Sequence, residues 1–331
     1  MRKKKVTMLD IATAVGVSQP TVSVILNGSN SIKVSEQTRE KVLNKARELG
    51  YQYNTQIQHT NHHQRIALIV NSINMHDPFI NALTSAKVQA WESDALLVVF
   101  DYEDDDELKE AMLKEISHGS YQGLIYASNT PKSVDYLPDV SIPFVYLNCH
   151  NDTLDTPIPM IITADYLGGY HAAEHLINKG YQGLGMILGE EWADPSINRF
   201  KGFRQALINY DIPFNKDWIA AGNWSVKQSY QATENLLNQD KRPDAIFCAS
   251  DLMALGCYQA IHAAQLRIPE DIAVIGYDNQ LLANELTPSL TSIDLPYDEM
   301  GRQAVDIILS DHAPEIMRIK IEGDLYPRQS T

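Results

Sequence analysis

Residues 7–28 read TMLDIATAVGVSQPTVSVILNG, and this stretch decides how the first fifty-four residues fold. Thr7 stands before a run in which Leu9, Ile11, Ala12 and Val15 share one helical face. Its hydroxyl suits the unpaired amides of a helix N-terminus, and Asp10, three residues on, completes a capping-box pattern. Gly16 sits where a tight inter-helix turn needs an unhindered backbone. Ser18 is a second capping residue, Pro20 fits the first turn of a helix, where its missing N–H costs little, and Asn27-Gly28 ends the segment. A third helix is expected from near Ser35 through Val42, Ala46 and Leu49 to Gly50. Two short helices joined by a tight turn and packed on a third form the smallest scaffold that sets one helix in a DNA major groove.

Charge, counted by region, supports a division of labour. The chain of 331 residues carries a net charge of −15, which taken whole argues against a polyanionic partner. Ten Lys and Arg against four Asp and Glu leave Met1 to Arg65 at +6, so the remainder carries −21. A basic head on an acidic body attracts phosphate at one end and repels DNA from the rest. The length suggests more than one domain, and 44% hydrophobic with 21% charged residues is a globular composition. No apolar run reaches the roughly 18 residues of a membrane helix. The basic start, Met1 to Lys5, is followed by Thr7, Asp10 and Thr13 without a small-residue cleavage site, so export is not expected and a cytoplasmic location is.

From Arg65 onward apolar, β-branched runs alternate with helix-length stretches. The runs are Ile66 to Val70, Leu96 to Phe100, Gly123 to Tyr126, Phe144 to Leu147, Met186 to Leu188, Ala245 to Phe247 and Ile272 to Ile275. Strands apolar on both faces imply a parallel sheet covered by helices on both sides. About ten strand–helix units exceed one sheet, and the pattern restarts after Asp165, so two doubly wound lobes with a cleft between them are expected. Ligands in such folds lie beyond the carboxyl ends of the strands.

The detailed strings are more specific than the geometry. Val6 to Ala12, Val15 to Ser18, Thr21 to Ser23, Leu26 to Gly28, Val34 to Val42 and Leu49 to Tyr51 closely resemble the head of LacI/GalR-type repressors. The resemblance continues through Asp77 to Phe79, Asp165 to Gly169, His175 to Tyr181, Arg199 to Phe203, Ser250 to Gly256 and Val274 to Asn279, blocks of the type I periplasmic-binding-protein fold as that family uses it. It implies an all-α helix-turn-helix domain over 1–54, a hinge over 55–64, and a two-lobed effector-binding and dimerisation domain over 65–331. Lobe 1 would span about 65–163 and 294–320, lobe 2 about 164–293 and 321–331.

The resemblance also assigns residues. Ser18, Gln19, Pro20 and Val24 would face bases or the adjacent backbone, with Thr21 on the same helix, and Thr7, Ser23 and Asn27 would meet phosphates. Where many relatives carry a long polar residue this chain has Val24, which can touch a thymine methyl but cannot bond a guanine edge, and Pro20 removes a donor. A reading helix with few strong polar base contacts is therefore expected. In the hinge the family's minor-groove wedge position falls on Thr60, and either Ile57, the large apolar residue nearby, takes that part or the hinge bends DNA less. In the core, Arg199 would donate to ligand hydroxyls or a carboxylate, Asp278 would accept from hydroxyls, Trp224 and Phe79 would stack on a sugar ring, and Asp77, Asn148 and Ser250 would complete the polar lining. The implied partners are a pseudo-palindromic double-stranded DNA operator, a sugar or sugar derivative, and a second copy of the chain.

Other patterns carry less. Cys149, Cys248 and Cys257 are odd in number and lack CxxC spacing, which reads as buried thiols. His59 and His63 share a helical face but have no acidic or cysteine partners in their segment, so no metal is expected. Asp101 to Asp106 lacks the spacing of a calcium loop and reads as a solvated lead into a helix. Tyr326 to Thr331 holds no leucine heptad of the kind that builds tetramers. A transport binding protein would need an export signal and no head. An enzyme would need a phosphate-binding loop, a GxSxG elbow or a paired nucleophile and base, and none is legible, so neither catalysis nor a cofactor is expected.

Overall fold

The computed structural model describes residues 6–26, 34–49, 51, 63–74, 77–135, 138–152, 158–310 and 317–331. The chain forms two compact units, 1–62 and 63–331. Among the described residues no single helix is long and apolar enough to cross a membrane.

The first unit holds α1 (Met8–Val15), α2 (Gln19–Leu26) and α3 (Glu36–Glu48). Thr7 and Asp10 form the capping box, each side chain serving the other's backbone amide. Gly16, at φ 79°, closes α1, and the chain turns by 111° before α2. Ser18 Oγ accepts from the Thr21 amide at 3.3 Å and so caps α2. Ser35 caps α3 by accepting from the Thr38 amide. Ile11, Ala12, Val22, Ile25, Leu26, Val42 and Ala46 bury one face of each helix in a common core. Burial of that small set is what holds α2 at a fixed angle to α1.

The second unit contains two six-stranded sheets. The first comprises β1 (Gln64–Val70), β2 (Ala95–Asp101), β3 (Gly123–Ser133), β4 (Phe144–His150), β5 (Met160–Thr163) and, from near the C-terminus, β11 (Arg318–Ile321). Its order is β2-β1-β3-β4-β5-β11, parallel throughout. The second comprises β6 (Leu184–Leu188), β7 (Ile219–Ala221), β8 (Ala245–Cys248), β9 (Ala273–Asp278), β10 (Thr291–Asp294) and β12 (Leu325–Tyr326). It repeats the order as β7-β6-β8-β9-β10-β12, with only β12 antiparallel. Helices α4 (Ile80–Glu92), α5 (Asp106–His118) and α11 (Tyr297–Leu309) accompany the first sheet. Helices α6 (Asp165–Asn178), α7 (Asp194–Asn209), α8 (Val226–Leu237), α9 (Asp251–Ala263) and α10 (Leu281–Glu285) accompany the second. Covered faces explain the continuous apolar runs: Ile66 to Val70 are all buried. All three cysteines are buried, and Asp105 caps α5 at the end of the acidic stretch.

The chain passes between the lobes three times, after Thr163, after Asp294 and after Ile321, and these passages are bonded to one another. The Ala164 amide donates to Ile321 O at 2.9 Å, and the Asp294 amide donates to Asp324 O at 2.8 Å. Gly323 lies so close to this bundle that a Cβ there would meet Asp294 O at 1.8 Å. Gly323→Ala should therefore force the passages apart and cost about 1–3 kcal/mol. Urea unfolding of the full chain checks this, and an unchanged midpoint would show that the passages do not limit lobe packing.

Candidate functional site

In the head, burial of Val22, Ile25 and Leu26 turns the opposite side of α2 outward. Ser18, Gln19 and Pro20 are exposed, while Thr21, Ser23 and Val24 are half-buried. Gln19 with Ser23 and Pro20 with Val24 are i, i+4 pairs, so they share one strip. Gln19 supplies the long polar side chain of that strip. The Thr7 hydroxyl, expected at a phosphate, donates to Asp10 Oδ2 at 2.7 Å, so its proton already serves the cap. Ser18 Oγ shares a 2.7 Å hydrogen bond with Thr21 Oγ1. Asn27, Ile57, Thr60, His59 and Met1 to Lys5 lie outside the described residues.

In the second unit a cavity of about 410 Å³ opens between the lobes at the carboxyl ends of the strands. Asp77, Asn129 and Tyr297 line it from the first lobe's side, and Arg199, Trp224, Ser250, Asp278 and Gln280 from the second. Asp77 precedes α4: its Oδ1 accepts from the Phe79 amide at 2.9 Å and its Oδ2 from Asn129 Nδ2 at 3.3 Å. Burial raises its pKa against those two bonds. Ser250 Oγ caps α9 by accepting from the Met253 amide at 3.1 Å. Trp224 stands before α8 at φ 57° and Asp278 ends β9 at φ 102°. Left-handed backbone at two non-glycine residues of one cavity is strain held in place by the surrounding fold.

Arg199, on the second turn of α7, is the buried centre of this region. Nε donates to Asp165 Oδ1 at 2.8 Å and Nη1 to Ala249 O at 2.6 Å, with Asp278 Oδ1 at 3.7 Å. The guanidinium also lies 3.6 Å from the centre of the Tyr277 ring. Burial opposes its charge, but Asp165, Tyr277 and Asp278 outweigh burial and hold the proton above the usual range. Arg199 therefore lines the cavity but has two of its donor groups committed to protein partners. Behind it, the fully buried Asp251 accepts from Ser292 Oγ at 2.6 Å and from the Gln280 amide at 2.8 Å, fixing the loop that presents Asp278. At the edge of the cleft, His150 Nε2 of β4 meets Asp194 Oδ2 of α7 at 2.9 Å and ties the lobes together.

Two expected lining residues are displaced from the cavity wall. Phe79 is 2% exposed and packs edge-on against Tyr297, with ring centres 5.4 Å apart, so the ring available from this side is Tyr297. Asn148 is fully buried because its backbone, at φ 58°, turns the side chain inward. Its Nδ2 reaches Ser128 O at 2.8 Å, Asn129 O at 3.2 Å and Tyr297 Oη at 3.3 Å, making it a brace beneath the wall. Sequence reasoning missed Asn129, Gln280 and Tyr297. Gln280 stands just past the end of β9, where the strand-end rule would have found it, whereas Asn129 lies inside β3, where its pairing with β4 shifts register between Ala127 and Lys132. Tyr297 starts the helix after an interlobe passage and gives no such signal.

A larger cavity of about 620 Å³ runs along α7, lined by Tyr166, Phe200, Arg204 and other residues of the second lobe alone. A ligand there would touch one lobe and so could not bias the position of the other. The interlobe cavity is the better sensing site.

The head, residues 7–54, matches the bacterial regulatory proteins of the lacI family, and residues 173–331 match the periplasmic binding protein-like domain. The chain is similar to the HTH-type transcriptional repressor PurR of Pectobacterium atrosepticum, with 32% identity over 311 residues, 92% of this chain and 89% of the relative. Among solved structures it is similar to the Lac repressor dimer bound to operator and the anti-inducer ONPF, with a TM-score of 0.76, 27% identity and 99% of each chain covered. It is also similar to a complex of the transcriptional regulator CelR with cellobiose, with a TM-score of 0.69, 26% identity, and 98% of this chain and all of that one covered.

Two outcomes test this geometry. Arg199→Ala leaves Asp165 and Asp278 as buried, uncompensated carboxylates and should cost about 3–5 kcal/mol in denaturant unfolding; a near-neutral effect would remove Arg199 from the centre of the account. Burial pushes the Asp251 carboxyl up to about 7. A group raised in the folded state contributes stability that is fully present below its ordinary value of 3.8 and is lost as pH rises through about 7. Relative to Asp251→Asn, the wild-type chain should lose thermal stability between about pH 4 and pH 7. A constant difference across that window would contradict the burial argument.

Proposed function

We propose, starting from the fact that this chain belongs to the LacI family of bacterial regulatory proteins, that it acts as a homodimeric repressor whose two heads grip a pseudo-palindromic operator. It is a sequence-specific, DNA-binding transcription regulator and not an enzyme, and its core binds a small-molecule effector. The finer reading is that the effector is carbohydrate-like, that Asp77, Arg199, Trp224, Ser250 and Asp278 contact it, and that the protein works in the cytoplasm. The observation that carries this reading is a cavity walled by both lobes, where one side presents a carboxylate and a tyrosine and the other a guanidinium, a carboxylate and an indole. Polyols suit it: hydroxyls meet charged groups in hydrogen bonds of about 1.5–3 kcal/mol, and the apolar C–H faces of a sugar ring meet aromatic planes.

A ligand that prefers one relative position of the lobes shifts their equilibrium by its difference in affinity for the two positions. In a dimer that shift alters how far apart the two heads are held, and so the operator affinity. Support for the dimer comes from apolar side chains exposed on one side of the first lobe, Val88 and Trp91 of α4 and Val99 of edge strand β2, which points to the sheet face that α4 covers. The DNA-facing set is Thr7, Ser18, Gln19, Pro20, Thr21, Ser23 and Val24, with Asn27 and Ile57 proposed on sequence grounds.

Selection of bound duplexes from a randomised pool by the full chain tests this directly. The enriched sites should be two-fold symmetric, and at least one sugar should change affinity for them by about 5–150-fold. Gln19→Ala should cost about 1–3 kcal/mol and relax preference at one position per half-site. Asymmetric sites, or affinity indifferent to every sugar tried, would contradict the proposal.

A further inference from the structure

The interlobe cavity has acceptors in excess of free cationic donors. Among the described residues lining it, Arg199 is the sole Lys or Arg, and it is already engaged by Asp165, Ala249 O, Asp278 and the Tyr277 ring. Asp77 faces the same cavity from the other lobe, and its bonding partners are the Phe79 amide and Asn129 Nδ2. Both of those groups donate, which favours the ionised carboxylate, but neither brings a positive charge to cancel it. Asp278 likewise turns one oxygen to Arg199 and the other to Gln280 Nε2, at 3.4 Å.

The N-termini of α4, α7 and α9, the usual alternative anchors for an anion, each carry an acidic side chain. Asp77 accepts the amide at the start of α4. Ser250 and Asp251 occupy the start of α9. Asp194 places a carboxylate in the first turn of α7, which no side chain caps, and is joined there to His150. An incoming phosphate or carboxylate would meet these acidic groups, and Asp77 with no cationic partner among the described residues, where like charges repel. An uncharged polyol would offer hydroxyl protons to the same oxygens.

We infer, resting on the carbohydrate reading above, that the cavity selects a non-anionic, hydroxyl-rich sugar, and that Asp77 is the residue that excludes phosphorylated and carboxylated sugars. Asp77 acts here as a specificity determinant: it accepts from neutral ligands and repels charged ones. The role is distinct from that of Arg199, whose charge is spent on the fold.

The test uses the full chain and isothermal titration with matched ligands. For each neutral hexose or disaccharide that binds, the corresponding uronate and its uronamide are compared, since they differ in charge with little change of size. The uronamide should bind at least about tenfold more tightly than the uronate to the wild-type chain, and Asp77→Asn should narrow that ratio while still binding the uronamide. Asp278→Asn serves as the second variant: it should weaken uronate and uronamide together and move their ratio less, because Arg199 already balances that carboxylate. A uronate that binds the wild-type chain as well as its uronamide, or a ratio unmoved by Asp77→Asn, would overturn the inference and leave the carbohydrate reading standing. Absence of binding by every neutral sugar and derivative would overturn the carbohydrate reading itself, and this inference with it.

Discussion

A guanidinium withdrawn from water must be compensated on every side, and the second lobe is organised around meeting that demand for Arg199. Its partners come from separate parts of the chain: Asp165 at the start of α6, Ala249 O just after β8, and Tyr277 and Asp278 at the end of β9. Each lies at the carboxyl edge of the sheet, where strands end and helices begin. Satisfying one charge therefore fixes four chain segments around the mouth of the cleft. Asp165 also follows directly on the first interlobe passage, so the same charge anchors one of the three connections on which the lobes can move.

That arrangement explains why strain collects here. Asn148, Trp224, Asp278 and Asn279 all adopt left-handed backbone, and a fold tolerates such residues only where neighbours over-determine them. Asp251 holds the 279–280 loop through the Gln280 amide, and Asn148 holds residues 128–129 of β3 together with Tyr297. The outcome is a wall of polar groups whose positions are set before any ligand arrives. Preorganisation of this kind lowers the ordering cost of binding. The His150–Asp194 contact at the cleft edge and the bonded passages at 164, 294 and 321–324 leave the relation between the lobes as the natural variable for a ligand to alter.

Much of this was legible in the sequence because it rests on local rules. The capping box at Thr7 and Asp10, the turn at Gly16 and the cap at Ser35 are short-range features, and the helices follow them closely. Long strands buried on both faces, such as Ile66 to Val70, announced themselves by composition. Short strands did not: β7 and β12 are three and two residues long, and no apolar period is visible over such lengths. Site residues were legible only as far as strand ends could be counted. Phe79 and Asn148 follow the pattern of their positions, yet packing on Tyr297 and a positive φ put both behind the wall. Which groups would commit Arg199 to the protein was also hidden, because Asp165 and Ala249 are 34 and 50 residues away from it.

We propose that the interlobe cavity receives a sugar and that Asp278 helps to hold it. Thermal unfolding of the full chain against a panel of neutral sugars tests this most directly, with Asp278→Asn run in parallel. At least one sugar should raise the midpoint of the wild-type chain, by an amount equivalent to about 2.7 kcal/mol at a hundred times its dissociation constant, and Asp278→Asn should reduce the shift. A sugar that stabilises both chains equally would place its site elsewhere, and a panel that stabilises neither would contradict the claim.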